Sequence, residues 1–563
     1  MSWKRHAPVV LTLAGAAGLF WVVDRGSEHV RAHLASGGSA ATAIDRLFDL
    51  LLDDPLYVSF DRADLISGAV AAGILMLFVL YQVGGRKNTR PGEEHGSAAW
   101  AVPNDITPLS SKDPTRRIQL TATEALSIDT RSTGRNLNVC VLGASGTGKT
   151  RSYVMPNLEK VAMSKAVTDP KGEIWRRSAS GLEAAGYRVR VFNLVDPHRS
   201  GHFNPLAYFD ADQPEASIAQ LTECIITNTS SERAESDGFW ERAERALLSA
   251  LIAYVWATKD EADGGDPSLV DVVDLHKKME ASEGEDAQGF RSEVDYRFEV
   301  ARDIVAEWRK TPVGRDDTVM KVLEFATRQY RVFEQGAGET KKSIIISLGV
   351  RLAPLDMSDV RRIVADDDLQ IDQIGYEPTA LFLCIPDTHQ TFKFLAAMFW
   401  QSLFEKTIYL ADHEQSGELP VPVHCFLDEF ANIGKIPGFP VVMSTIRSRG
   451  ISASVIVQSH TQGKALWKDD WATIVANCDS LLFLGGRDLD TLKWLSSLIG
   501  EETVATEEIS RAYGASGSWT RAQRTVKRAL MTPDELGVLP NREAILLVRG
   551  LRPFRSPKSQ IVS

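Results

Sequence analysis

The stretch Asn138-Val-Cys-Val-Leu-Gly143-Ala144-Ser145-Gly146-Thr147-Gly148-Lys149-Thr150 carries an apolar run into a turn of the form Gly-x-x-x-x-Gly-Lys-Thr. Small residues at this spacing let successive backbone N–H groups curl around phosphate oxygens, and a helix N-terminus behind them favours anions. Lys149 is expected to reach the β- and γ-phosphates and Thr150 to hold Mg²⁺ through its hydroxyl, within a cradle running from Gly143 to Arg151. A glycine-rich turn can match such a pattern by chance. Context argues against chance, because Asn138 to Leu142 reads as a buried strand and Arg151 to Val161 as a helix, the order that the loop requires. ATP and Mg²⁺ are therefore the expected cofactors.

The other half of such a site is a strand that ends in acid, and Val423-His-Cys-Phe-Leu-Asp428-Glu429 fits. Asp428 is expected to bind Mg²⁺ directly or through water, and Glu429 to orient and polarise the attacking water as general base. The plainer alternative is a strand that runs into a helix N-cap, where Asp is common.

Length and composition set the frame. At 563 residues, with 44% hydrophobic and 24% charged residues, the chain has ordinary globular composition and room for two or three folded units. A net charge of −11 argues against a surface coated for tight nonspecific nucleic-acid binding, while leaving room for a local basic channel. Cys140, Cys224, Cys384, Cys425 and Cys478 form no Cys-x-x-Cys pair, so reduced, buried thiols are expected rather than a metal site.

The N-terminal region differs in kind. Ala7 to Val23 and Leu65 to Val83 are apolar stretches close to the length needed to cross a bilayer. The first could be a cleaved signal peptide, but the second span and the bulky Phe20-Trp21-Val22-Val23 favour a two-span anchor over residues 1–90. Lys4, Arg5 and His6 before the first span, and Arg86, Lys87 and Arg90 after the second, place both flanks in the cytoplasm. Residues 24–64 then form a small external loop with Asp45, Asp49, Asp53 and Asp54. The expected location is the cell membrane, crossed twice, with the body in the cytoplasm.

Beyond a linker at about residue 91 the pattern is α/β. Strands are expected at Lys165 to Asp169, Tyr187 to Leu194, Ala380 to Ile385, Val423 to Leu427, Ser452 to Val457, Ser480 to Leu484 and near Leu546 to Val548. From residue 210 to 355 helical periodicity takes over, which indicates an all-α insertion into a nucleotide-binding domain built from 91–209 and 356–563. In ATPases of the RecA type a neighbouring subunit often supplies an arginine to the γ-phosphate. Arg447 and Arg449, in Thr445-Ile-Arg-Ser-Arg449, are candidates, with a solvated helix end as the alternative. Gln458 ends a strand expected beside the phosphate-loop strand, where its amide could sense the γ-phosphate or be an ordinary strand end. His460 and Trp467 read as packing or surface residues.

Together these residues resemble the TraG-like type IV secretion coupling proteins, membrane-anchored ATPases of the FtsK/HerA branch of RecA-like folds. The resemblance rests on Gly148-Lys-Thr-Arg-Ser-Tyr-Val-Met-Pro-Asn157, Thr168-Asp-Pro-Lys-Gly-Glu173, Phe203-Asn-Pro-Leu206, Asp428-Glu-Phe-Ala-Asn-Ile-Gly-Lys-Ile-Pro437, Thr445-Ile-Arg-Ser-Arg449, Gln458-Ser459 and Leu530-Met-Thr-Pro-Asp-Glu-Leu536. It implies a homo-hexameric ring at the cytoplasmic face of a conjugative secretion channel, receiving a relaxase bound to single-stranded DNA and driving its transfer with ATP. The all-α domain would then help to select the substrate. The acidic balance, with no basic stripe interleaved with aromatics, makes substrate coupling a firmer expectation than direct DNA pumping. The rivals are an FtsK-like DNA translocase, which normally carries a further DNA-reading domain, and a receptor or scaffold for protein effectors that uses ATP mainly for assembly. A metabolic kinase fits poorly with two membrane spans.

Overall fold

Side chains alternate between the two faces of a central sheet, and each face is covered by its own apolar layer. On the strand Val139–Leu142, Cys140 and Leu142 enter one layer, while Val139 and Val141 enter the other. Such double burial explains why the central strands read as continuous apolar runs. The computed structural model describes residues 3–39, 43, 57–84, 90, 92–230, 238–259, 265–280, 291–310, 316–336, 338–386, 391–511 and 519–560. The chain divides into two units, Met1–Glu94 and His95–Ser563.

In the first unit, helices α1 (Trp3–Ala35) and α2 (Arg62–Gly84) pack together. Gly68 permits the close approach, since a Cβ there would stand 2.8 Å from the carbonyl oxygen of Phe20. Asp24 accepts a hydrogen bond from the Ser59 amide at 2.7 Å, and Arg31 pairs with Asp61 at 2.6 Å. Among the described residues one helix, Arg62–Gln82, is long and apolar enough to cross a membrane. The first expected span lies within α1. That helix runs on through Asp24 and Arg25 to Ala35, so the loop expected from residue 24 begins later. Asp45, Asp49, Asp53, Asp54, Arg86 and Lys87 lie outside the described residues.

In the second unit, a short hairpin of β1 (Arg117–Gln119) and β2 (Ala125–Ser127) precedes the main sheet. The sheet has nine strands in the order β13-β12-β9-β3-β8-β7-β4-β6-β5. These are β3 (Val139–Leu142), β4 (Ser164–Pro170), β5 (Arg188–Asn193), β6 (Thr379–Ile385), β7 (Val423–Leu427), β8 (Ile451–Val457), β9 (Ser480–Phe483), β12 (Glu543–Val548) and β13 (Phe554–Pro557). The seven from β3 to β9 are parallel, and β12 and β13 close one side antiparallel. The chain past Val548, the end of the strands expected from sequence, supplies one more, β13. A long hairpin of β10 (Glu501–Arg511) and β11 (Trp519–Ala529), which the hydropathy pattern does not mark, stands apart from the sheet.

Between β4 and β5 lies α3 (Glu173–Ala184). The described residues between β5 and β6 hold no strand. Their main helices are α4 (Pro214–Thr229), α5 (Gly238–Thr258), α6 (Leu269–Lys277), α7 (Glu293–Lys310), α8 (Asp317–Glu334), α9 (Gly338–Leu352) and α10 (Ser358–Val364). The apolar core of these helices is continuous with the layer on one face of the sheet. Phe298 and Tyr330 stack with centroids 3.9 Å apart, and the Tyr330 hydroxyl donates to Asp295 at 2.7 Å. α4, α5 and α9 meet at a buried ion pair, where Arg351 donates to Glu244 at 2.8 Å and to the Ile226 carbonyl at 3.2 Å. Removing one member strands the other charge in the core, so Arg351→Met is expected to lower unfolding free energy by about 3–5 kcal/mol, read by urea denaturation. A shift below about 1 kcal/mol would show that the pair contributes little.

Candidate nucleotide site

The phosphate loop leaves β3 at the carboxyl edge of the sheet and is tied to both neighbouring strands. Gly143 N–H donates to the Val457 carbonyl at 3.1 Å on one side, and Ala144 N–H to the Gly485 carbonyl at 3.0 Å on the other. Gly146 and Gly148 have φ of 78° and 89°, the left-handed region that glycine enters without penalty. At Gly143 the demand is space, since a Cβ there would lie 2.5 Å from the Thr147 hydroxyl. The helical segment behind the loop opens with a π-wound turn, Thr150–Val154, a departure frequent at functional sites.

Three groups converge on the loop. Lys149, buried, donates to the Gly143 carbonyl at 2.8 Å and stands 3.4 Å from Glu429. The Thr150 hydroxyl donates to Asp428 at 2.9 Å. Gln458, at the end of β8, donates its amide to the other Glu429 oxygen at 3.2 Å. Lys149, Thr150, Asp428, Glu429 and Gln458, named from sequence, therefore form one contact chain. Burial pushes the Asp428 carboxyl up to about 6, with the Thr150 hydrogen bond opposing and the Glu429 charge adding. Hydroxyl and carboxylate oxygens are the donors that suit Mg²⁺, so the residues fit that ion.

Glu429 adopts the left-handed backbone region, with φ 48° and ψ 50°. A non-glycine residue held there costs about 1–3 kcal/mol, a strain typical of working sites. What holds it is packing on the next residue, since Phe430 stacks on buried Trp467 with centroids 5.6 Å apart. Trp467 is thus a packing residue. So is His460, which accepts a hydrogen bond from the Trp471 indole at 2.9 Å and stacks on Trp494.

Arg447 and Arg449 lie elsewhere. Their helical turn precedes β8, at the amino edge of the sheet, so the length of a strand, about 20 Å, separates them from their own phosphate loop. Arg449 binds both Asp412 oxygens, at 2.7 and 2.9 Å. Arg447 is exposed and donates to the Thr130 carbonyl at 3.0 Å. Neither can serve the site of its own chain.

Two buried groups at the site carried no role in the sequence reading. Lys558 donates to the Thr147 carbonyl at 2.8 Å and to the Leu484 carbonyl at 2.7 Å, bracing the phosphate loop against β9, and burial pulls its ammonium down to about 8. No local motif marks it. Asp169 is the last residue but one of β4, beside β7, and burial pushes its carboxyl up to about 6. In the sequence it stands out only within Thr168-Asp-Pro-Lys-Gly-Glu173.

A family model described as type IV secretory system conjugative DNA transfer matches residues 100–560. The chain is 20% identical to protein VirD4 of Rhizobium rhizogenes over 536 residues, 92% of this chain and 73% of that protein. It is 24% identical to a conjugal transfer protein TraG of Escherichia coli over 422 residues, 72% of this chain and 62% of that one. Among solved structures, the unbound conjugative coupling protein TrwBΔN70 superposes with a TM-score of 0.55 at 16% identity, over 85% of this chain and 97% of that one. TrwB in complex with ADP and Mg²⁺ gives 0.54 at 15% identity, again over 85% and 97%. Since the family match takes in the sheet, the helical segment and every residue of the site, this chain belongs to the type IV secretory system conjugative DNA transfer family.

Proposed function

We propose that this chain is a membrane-anchored ATPase that couples a relaxase bound to single-stranded DNA to a type IV secretion channel and energises its transfer. The observation that carries this reading is the convergence of Lys149, Thr150, Asp428, Glu429 and Gln458 at the carboxyl edge of a parallel sheet. Family membership supplies the substrate class, and the nucleotide complex of TrwB supports ATP with Mg²⁺. The working unit is a homo-hexamer fixed in the cytoplasmic membrane by two spans, with the ATPase domain in the cytoplasm. Residues 210–355 form the insertion that meets the substrate.

The chemistry follows from the contacts. With the Gly143 and Ala144 amides committed to the neighbouring strands, the backbone N–H groups that follow them, up to Thr150, cradle the phosphates, and polyphosphate oxygens compete with Glu429 for the Lys149 ammonium. Once released, that Glu429 oxygen accepts a proton from the attacking water while Gln458 holds the other oxygen. Thr150 and Asp428 would hold Mg²⁺, which when bound offsets charge on the phosphate oxygens. A neighbouring subunit offers its arginine turn. Arg447 is the freer group, whereas Arg449 is neutralised by Asp412.

Lys149→Ala is expected to abolish ATP hydrolysis, and Glu429→Gln to keep nucleotide binding while slowing turnover about 10²–10⁴-fold. Equal loss of binding in both variants would remove Glu429 from the base role. Arg447→Ala is expected to cut hydrolysis in assembled rings and leave monomer turnover unchanged, whereas loss in both states would end the inter-subunit role. The test of the whole reading is hydrolysis by the full chain in lipid nanodiscs, with no polymer, single-stranded DNA or duplex DNA. Stimulation by single strands is the expected result. An assembled, DNA-indifferent ATPase would point to the receptor for protein effectors.

A further inference from the structure

In the parallel ladder between β4 and β7, Ala166 faces Cys425 and Val167 faces Phe426. The same register, continued two residues to just past the end of β7, sets Asp169 level with Asp428, whose charge acts on it; because level residues of neighbouring strands share a face, this puts both carboxylates on the same side of the sheet. That side also carries the helix that follows the phosphate loop, as shown by Val167, Phe426, Tyr153 and Val154 sharing one apolar layer. Asp169 is fully buried. One oxygen accepts the Trp175 amide at 2.7 Å and caps α3. The other, Oδ1, is buried without a hydrogen-bond partner among the described residues.

Capping α3 does not explain a carboxylate here, since an Asn side-chain oxygen would accept the same amide. Arg176 offsets part of the Asp169 charge, and a second buried negative charge beside Asp428 stays unfavourable unless a further positive charge is shared between them. A hydrated divalent cation meets both needs, because it supplies the charge and its water supplies the missing donor. Building on the nucleotide-site reading above, we propose that Asp169 is a third carboxylate of that site, a positioning residue whose Oδ1 accepts a hydrogen bond from a water on the cation held by Thr150 and Asp428.

The test uses the full chain in detergent, saturated with ADP and titrated with Mn²⁺ followed by electron paramagnetic resonance. Asp169→Asn keeps the cap and removes the charge. It is expected to weaken Mn²⁺ binding about 10–100-fold while leaving ADP affinity in EDTA unchanged. Asp169→Glu is expected to recover much of the Mn²⁺ affinity. An unchanged Mn²⁺ titration in Asp169→Asn overturns the proposal, as does an equal loss of ADP affinity in EDTA, which would mark a purely structural role. Wild-type chain whose ADP binding ignores Mn²⁺ altogether overturns the nucleotide-site reading itself, and the proposal with it.

Discussion

The parallel backbone ladder that joins β9, β3, β8, β7 and β4 is the constraint on which the site depends. It holds five strand ends level at one edge, so that the phosphate loop, Gln458 and the Asp428–Glu429 pair emerge within side-chain reach of one another, with Asp169 on the strand next to β7. Chain order alone would not do this, since β3 runs on to β4 while β8 and β7 are inserted between them in space. The crevice above the carboxyl edge, where the chain switches direction across the sheet, is where α/β folds hold ligands. Hydrogen bonds from both neighbours then fasten the loop itself, through Val457 and Gly485.

The two edges of the sheet carry opposite kinds of charge. The carboxyl edge gathers Asp428 and Glu429 around Lys149, with Asp169 on the strand beside β7, an arrangement that favours a cation and a water. The amino edge presents Arg447 and the Arg449–Asp412 pair. A subunit with acid at one edge and an exposed arginine at the other cannot complete its own charge pattern. Apposing edge to edge with a second copy would complete it, which gives the proposed ring a basis in electrostatics.

Legibility in the sequence followed the physical demand on each residue. Phosphate binding demands small residues at fixed spacing, so Gly143 to Thr150 could be read directly, and the strand before Asp428 was marked by burial on both faces. Helical periodicity likewise marked the segment between β5 and β6. The β10–β11 hairpin was invisible because it is held by charge rather than by an apolar face. Glu507 pairs with Arg521 at 2.5 Å, Glu501 with Lys527 at 2.7 Å and Glu502 with Arg528 at 3.3 Å, and no hydrophobic alternation records such a pattern. Hydropathy found the apolar part of α1 but not its continuation through Asp24 and Arg25, which partners outside the helix accommodate. Lys558 escaped notice because its meaning lies entirely in distant carbonyls, those of Thr147 and Leu484.

The tie between the phosphate-loop strand and its neighbours has a temporal side. Asn138, at the foot of β3, receives the Ala453 amide from β8 across 315 residues of chain, and β9 follows later still. At ribosomal speeds of about 5–20 residues per second, β3 waits roughly 15–60 s for its first partner strand. During that interval Val139-Cys-Val-Leu142 is an unpaired apolar strand, open to wrong pairings and to chaperones. The nucleotide site therefore comes into being late in synthesis, and a chain that stops before β8 has no half-formed ATPase with which to consume ATP.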